Sequence, residues 1–209
     1  MKEKMNVVFM RHLTEYRSLY VFVTALFLMG IIFGAVVVNG LPYGTRSSLL
    51  QYMENFLSDL AGGRVADPPV LLQEGIGNNI QYAGLIWLLG LSVIGLPLLF
   101  VLIFVRGLFL GFTIGFLLSE MGMKGLGIAI VGVFPQNLLV IPADIFLTVA
   151  AVSCSLKIIR RLIVKISRDP LLPQGISYAG VLLAVTALQT LACVFEAYVS
   201  PALVHVLVQ

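Results

Sequence analysis

The stretch AGLIWLLGLSVIGLPLLFVLIFVRGLFLGFTIGFLLS, Ala83 to Ser119, carries one charge, Arg106. As one helix rising 1.5 Å per residue it would reach about 55 Å, nearly twice the roughly 30 Å hydrocarbon core of a bilayer. The run therefore predicts two crossings, near 83–105 and 107–121. A tight turn at Arg106–Gly107 joins them, with a rival turn position at Pro97. The side of the membrane on which every later segment lies follows from this choice.

Apolar residues make up 59% of the chain and charged residues 11%. Soluble domains carry about a quarter charged residues. The composition predicts an all-α, polytopic integral membrane protein, with residues 1–209 as one membrane domain. Five transmembrane helices are expected, at about 19–38, 83–105, 107–121, 125–156 and 176–200. The first apolar core exceeds the roughly 7–15 residues of a secretory signal, and AVVVNGLP follows it, so it reads as a retained anchor.

Basic residues set the orientation. Lys2, Lys4, Arg11 and Arg17 precede the first span, and Lys157, Arg160, Arg161, Lys165 and Arg168 lie between the fourth and fifth. Five spans place both groups and Arg106 in the cytoplasm, leaving Arg46, Arg64 and Lys124 outside. Four spans would export the 157–168 cluster. The N-terminus is thus expected inside and the C-terminus outside. The cluster suits anionic lipid and does not argue for nucleic acid.

Residues 40–82 are polar enough to lie outside the bilayer. Within them an amphipathic helix is predicted over about 48–60, with Leu49, Met53, Phe56 and Leu60 on one face. Ser48 with Gln51 fits a capping box, Gly62 and Gly63 a stop, and the Asp67–Pro69 triplet a further break. That face suits a partner protein, lipid headgroups or the spans themselves.

Gly107, Gly111 and Gly115 form two successive small-residue steps, and Gly30 with Gly34 forms a single one. Such grooves let backbones approach closely; an internal partner is the preferred reading, with another chain open. Arg106 reads as a turn residue snorkelling to the headgroups, with a buried charge as the alternative. The fourth span contains VGVFPQNLLVIPADIF, Val131 to Phe146, and is expected to be broken near Pro135–Pro142. Gln136 or Asn137 is expected to bond backbone of another span. Asp144 would then lie in the first turn of a new segment started by Pro142, meeting its free N–H groups. The alternative is a proton or cation ligand.

No catalytic constellation, metal spacing or cofactor motif is present, and Cys154 and Cys193 read as packing residues. The chain is therefore expected not to be an enzyme and to need no cofactor.

Several segments together resemble the bacterial stage II sporulation protein M family: FLMGIIFGAVVVNGL, NNIQYAG, FVRGLFLGFTIGFL and PQNLLVIPADIF. The resemblance implies a membrane protein of endospore formation, located in the mother-cell membrane at the septum and during engulfment. It implies partners, the peptidoglycan hydrolases stage II sporulation proteins P and D, which it would recruit for septal wall thinning. Less specialised members of the wider family often read P-H-G-x-x-E-x-P-A in the fourth span. Here Gln136, Asn137 and Val140 stand at the histidine, glycine and glutamate positions, so both ionisable groups of that pattern are missing. A permease-like subunit moving a small solute or lipid through Gln136–Asn137 is the alternative reading.

Overall fold

A backbone without water must satisfy its hydrogen bonds internally, and in a single apolar chain helices do this most simply. The computed structural model describes residues 14–61, 68–92, 94–164 and 178–194. Among the described residues only helices and their connections occur. They are α1 (Arg17–Asn39), α2 (Tyr43–Ala61), α3 (Pro68–Gly90), α4 (Gly95–Ile128), a π-helical turn (Ala129–Val133), α5 (Phe134–Val164) and α6 (Tyr178–Val194). Arg17–Asn39 and the run Gly95–Arg160 are long and apolar enough to cross a membrane.

The turn expected at Arg106–Gly107 forms instead between α3 and α4, after Gly90 and before Gly95. The amides of Leu91 and Ser92 donate to the carbonyls of Leu88 and Leu89 at 3.2 and 3.0 Å. A side chain at Gly95 would meet the Leu89 carbonyl, so the closeness of this turn requires glycine. Pro97 then falls in the first turn of α4, where its missing N–H costs nothing. Arg106 lies mid-helix. α3 also starts earlier than residue 83, because Pro68 and Pro69 open a helix as readily as they end one. For the same reason α2 starts at Tyr43, just after Pro42, whose carbonyl accepts from the Arg46 amide at 3.0 Å. Ser48 is therefore no cap; its hydroxyl donates back to Gly44 O at 2.9 Å within the helix. Gly62 and Gly63 lie outside the described residues.

Within α4 the chain reverses at Gly122 (φ 55°, ψ −131°). Beyond it, Gly125 lies against the Leu117 carbonyl. This backbone region is almost confined to glycine, so Gly122→Ala is expected to cost about 1–3 kcal/mol, read from unfolding in mixed detergent micelles. Open space around the site makes that cost conformational rather than steric.

The break expected near Pro135–Pro142 is absent: α5 runs through Pro142. The irregularity lies upstream, in the π turn, where the Phe134 amide bonds Ala129 O. Pro135 has no N–H to offer, and the helix widens ahead of it.

α5 is the central element, buried without interruption from Leu147 to Ser153. On one side Ile86, Leu99, Leu147 and Tyr178 pack with Ala83, Ala151, Val152 and Val185. On the other, Val23, Phe27, Ile103 and Val149 join α1, α4 and α5. Outward faces are apolar on α1, α3, α4, α5 and α6, for example Ile32 (65% exposed), Phe109 (66%) and Leu183 (70%). Water would penalise such surfaces and lipid does not.

Candidate functional site

One polar cluster lies inside this apolar bundle, drawn from four helices. α5 contributes Asp144, 1% exposed. Its Oδ2 lies 3.3 Å from Arg106 Nε of α4, an ion pair rather than a well-aligned hydrogen bond. Its Oδ1 accepts from Gln189 Nε2 of α6 at 2.7 Å. Arg106 also donates from Nη2 to Asn79 Oδ1 of α3 at 3.4 Å. Its guanidinium lies 4.9 Å from the ring centroid of Tyr82, whose hydroxyl donates to Leu102 O at 3.2 Å. Asn79 Nδ2 donates in turn to Cys193 Sγ at 3.1 Å.

The helical period explains the convergence. Asn79 and Tyr82 are three residues apart and share one face of α3. Gln189 and Cys193, four apart, share one face of α6. The reversal at Gly122 brings α4 and α5 side by side, and Arg106 meets Asp144 across them. A carboxylate in hydrocarbon is tolerable when a cation and a hydrogen-bond donor neutralise it. Among the described residues Gln189 Oε1 is buried without a partner. The cluster holds no nucleophile paired with a base, and no group of three metal-ligating side chains exists among the described residues. The cluster links α4 to α3 and α5, and α6 to α5 and α3.

Three expectations are corrected here. Arg106 does not snorkel from a turn; it bridges helices, because Asp144 supplies the charge that water would otherwise supply. Asp144 is no first-turn acid, since α5 is continuous through Pro142 and offers no free N–H groups there. Asn137 is also local: its Nδ2 donates to Val133 O of its own helix at 2.7 Å, at the end of the π turn, rather than to another helix. Gln136 is half-buried beside it. Sequence reasoning did not single out Asn79, Tyr82 or Gln189 as site residues, although Asn79 and Tyr82 lie within the segment NNIQYAG. The available signal was two lone opposite charges, Arg106 and Asp144, in neighbouring apolar runs.

The glycines lie elsewhere. Gly30 and Gly34 of α1 face the backbone carbonyls of Phe104 and Leu108 in α4. Gly107 and Gly111 face those of Phe27 and Ile31, and Gly115 faces Ala35. The two helices thus pack backbone to backbone, with Phe22–Phe100 edge to face at 5.1 Å beside the seam.

On α2, Leu49 and Met53 are half-buried; the side chains of Phe56 and Leu60 lie outside the described residues. Arg46 of α2 pairs with Glu120 and donates to Ser119 Oγ at 2.7 Å, tethering α2 to the Gly122 end of α4. At the other end, Lys157 Nζ lies 5.8 Å from the Tyr16 ring centroid. Arg17 and Arg160 are exposed there. Arg161 is in α5 with its side chain outside the described residues, as are Arg11, Lys165 and Arg168 entirely.

Long apolar helices, lipid-compatible outer faces and a neutralised internal charge pair define a helical membrane protein. The chain belongs to the stage II sporulation protein M family, whose model matches residues 23–201. It is thus a membrane protein of sporulation. No curated protein and no solved structure gives a significant match to it.

Proposed function

We propose that this chain is a non-enzymatic scaffold that crosses the membrane five times and recruits the wall hydrolases stage II sporulation proteins D and P to the septum. There they thin septal peptidoglycan and allow engulfment. Family membership supports the process. One structural observation favours a scaffold: Arg106, Asp144, Asn79 and Gln189 engage one another across helices, and the glycines of α1 and α4 face each other's backbones. Among the described residues, the outer apolar surface and α2 remain for a partner.

The crossings are α1, the apolar half of α3, the two limbs joined at Gly122, and α6. Two contacts support this order. Lys157 beside Tyr16 sets the start of α1 and the end of α5 at one end of the bundle. Arg46 with Glu120 sets α2 and the Gly122 reversal at the other. With the basic end in the cytoplasm, α2 faces the wall. The turn between α3 and α4 then lies inside without a basic residue.

Replacing Phe56 and Leu60 together with aspartate tests α2 as the docking face. Recovery of the two hydrolases with the tagged chain from sporulating cells is expected to fall roughly tenfold or more, as for loss of an apolar anchor. Undiminished recovery at normal membrane level removes α2 from the role. The permease reading rests on a free Gln136–Asn137 pair, and Asn137 is engaged by its own helix.

A further inference from the structure

The end of the bundle where α1 starts and α5 finishes holds an open cleft of about 330 Å³ lined by Thr14, Arg17, Tyr20 and Val21. Tyr16, beside Arg17 in the chain, carries Lys157 of α5 over its ring at 5.8 Å. Arg160 is three residues on from Lys157, hence on the same side of α5, and is exposed. Glu15, exposed, is the nearest carboxylate in the chain to Arg17. No described carboxylate forms an ion pair with Arg17, Lys157 or Arg160, so cations prevail at this end.

We propose that this cleft binds the headgroup of an anionic phospholipid, its phosphodiester between Arg17 and Lys157. Arg17 opens α1, and Lys157 lies within the last two turns of α5 (Phe134–Val164), so both stand near helix ends, at headgroup depth. Basic pockets between helices at this depth suit anionic headgroups. A lipid fits better than a free anion because the cleft opens onto a bed for an acyl chain. Val21 lines it and is 63% exposed, and Phe22 next to it is 51% exposed. Tyr16 and Tyr20 add amphipathic rings at the interface, where such rings are favoured. The site is independent of the scaffold reading, since it needs neither hydrolase.

The full chain, delipidated in detergent, is titrated with phosphatidylglycerol and, separately, phosphatidylcholine, and bound lipid is counted by native mass spectrometry. Phosphatidylglycerol is expected to be retained preferentially. Arg17→Gln and Lys157→Gln are each expected to weaken that preference about fivefold, the effect of one basic residue at a membrane surface. Lys124→Gln, beside the reversal at the opposite end, leaves it unchanged. Equal retention of both lipids overturns the proposal. So does a preference that survives both glutamine substitutions, or displacement of the lipid by equimolar inorganic phosphate. Should the variant carrying both Arg17→Gln and Lys157→Gln fail to insert, Lys157→Gln alone decides, because Lys157 is exposed.

Discussion

Gly111→Ala is expected to destabilise the bundle by about 1–3 kcal/mol, although the change adds one methyl group. The size follows from what the methyl meets. A Cβ at Gly111 would fall on the carbonyl, carbonyl carbon and Cα of Ile31, all backbone. A side chain can rotate away from an intruder; a helical backbone cannot, so the whole of α1 must move off α4. Overpacking of this kind costs about 1–3 kcal/mol. Gly34→Ala strikes the same seam from the other side, against Leu108. Once one alanine has separated the helices, the second finds room, so the double variant should cost clearly less than the sum of the singles. Gly84→Ala is the control: nothing lies within 4 Å of its added Cβ. It should be neutral or gain up to about 1 kcal/mol from helix propensity. Unfolding in mixed micelles reads all four variants. A Gly111→Ala protein as stable as the parent would show that α1 and α4 do not meet along this seam.

This contact belongs to what is readable in the sequence, because spacing alone carries it. Glycines four apart present one groove whatever surrounds them, and a long uncharged run has to be helical in lipid. The helix ends were harder to read, for a physical reason in each case. At Arg106 a charge between two apolar halves looks like a turn, since an interface is the cheapest place for a cation. Ser92, Gly95 and Pro97 held the actual turn signal, in residue types that permit tight backbone and a first-turn proline. Pro42 and Pro68 mark starts as well as stops. The π turn shows a proline's missing donor being absorbed upstream, at 129–133, rather than at the proline itself. The polar cluster was least legible. Asn79, Arg106, Asp144 and Gln189 lie on four helices, and no local pattern reports which faces will meet. Only the electrostatic argument could have joined them: a lone carboxylate and a lone guanidinium in adjacent runs each require a partner.

Arg106→Met should then be the most damaging single change in the cluster, at about 3–5 kcal/mol, the range for breaking a buried ion pair from one side. The two partners are not equivalent. The Asp144 side chain is 1% exposed and that of Arg106 29%. Removing the arginine strands a carboxylate that has no route to water and keeps only the Gln189 amide. Asp144→Asn instead strands a long, partly exposed cation that can snorkel, and an amide at position 144 still accepts from Gln189. That variant should cost about half as much. Combining Arg106→Met with Asp144→Asn leaves no uncompensated charge, so the double variant should recover most of the loss. Trp87, the only tryptophan, supplies the measurement. Its indole stacks on Tyr178 of α6 at 5.8 Å, and the Tyr178 hydroxyl donates to Trp87 O at 3.2 Å. Trp87 fluorescence therefore follows the docking of α6, the helix that Gln189 ties to Asp144. In an SDS titration of mixed micelles, Arg106→Met should shift that transition furthest, Asp144→Asn less, and the double variant least of the three. Additive losses would mean that Arg106 and Asp144 do not act as a pair, and the cluster would then have no claim to hold α6 in place.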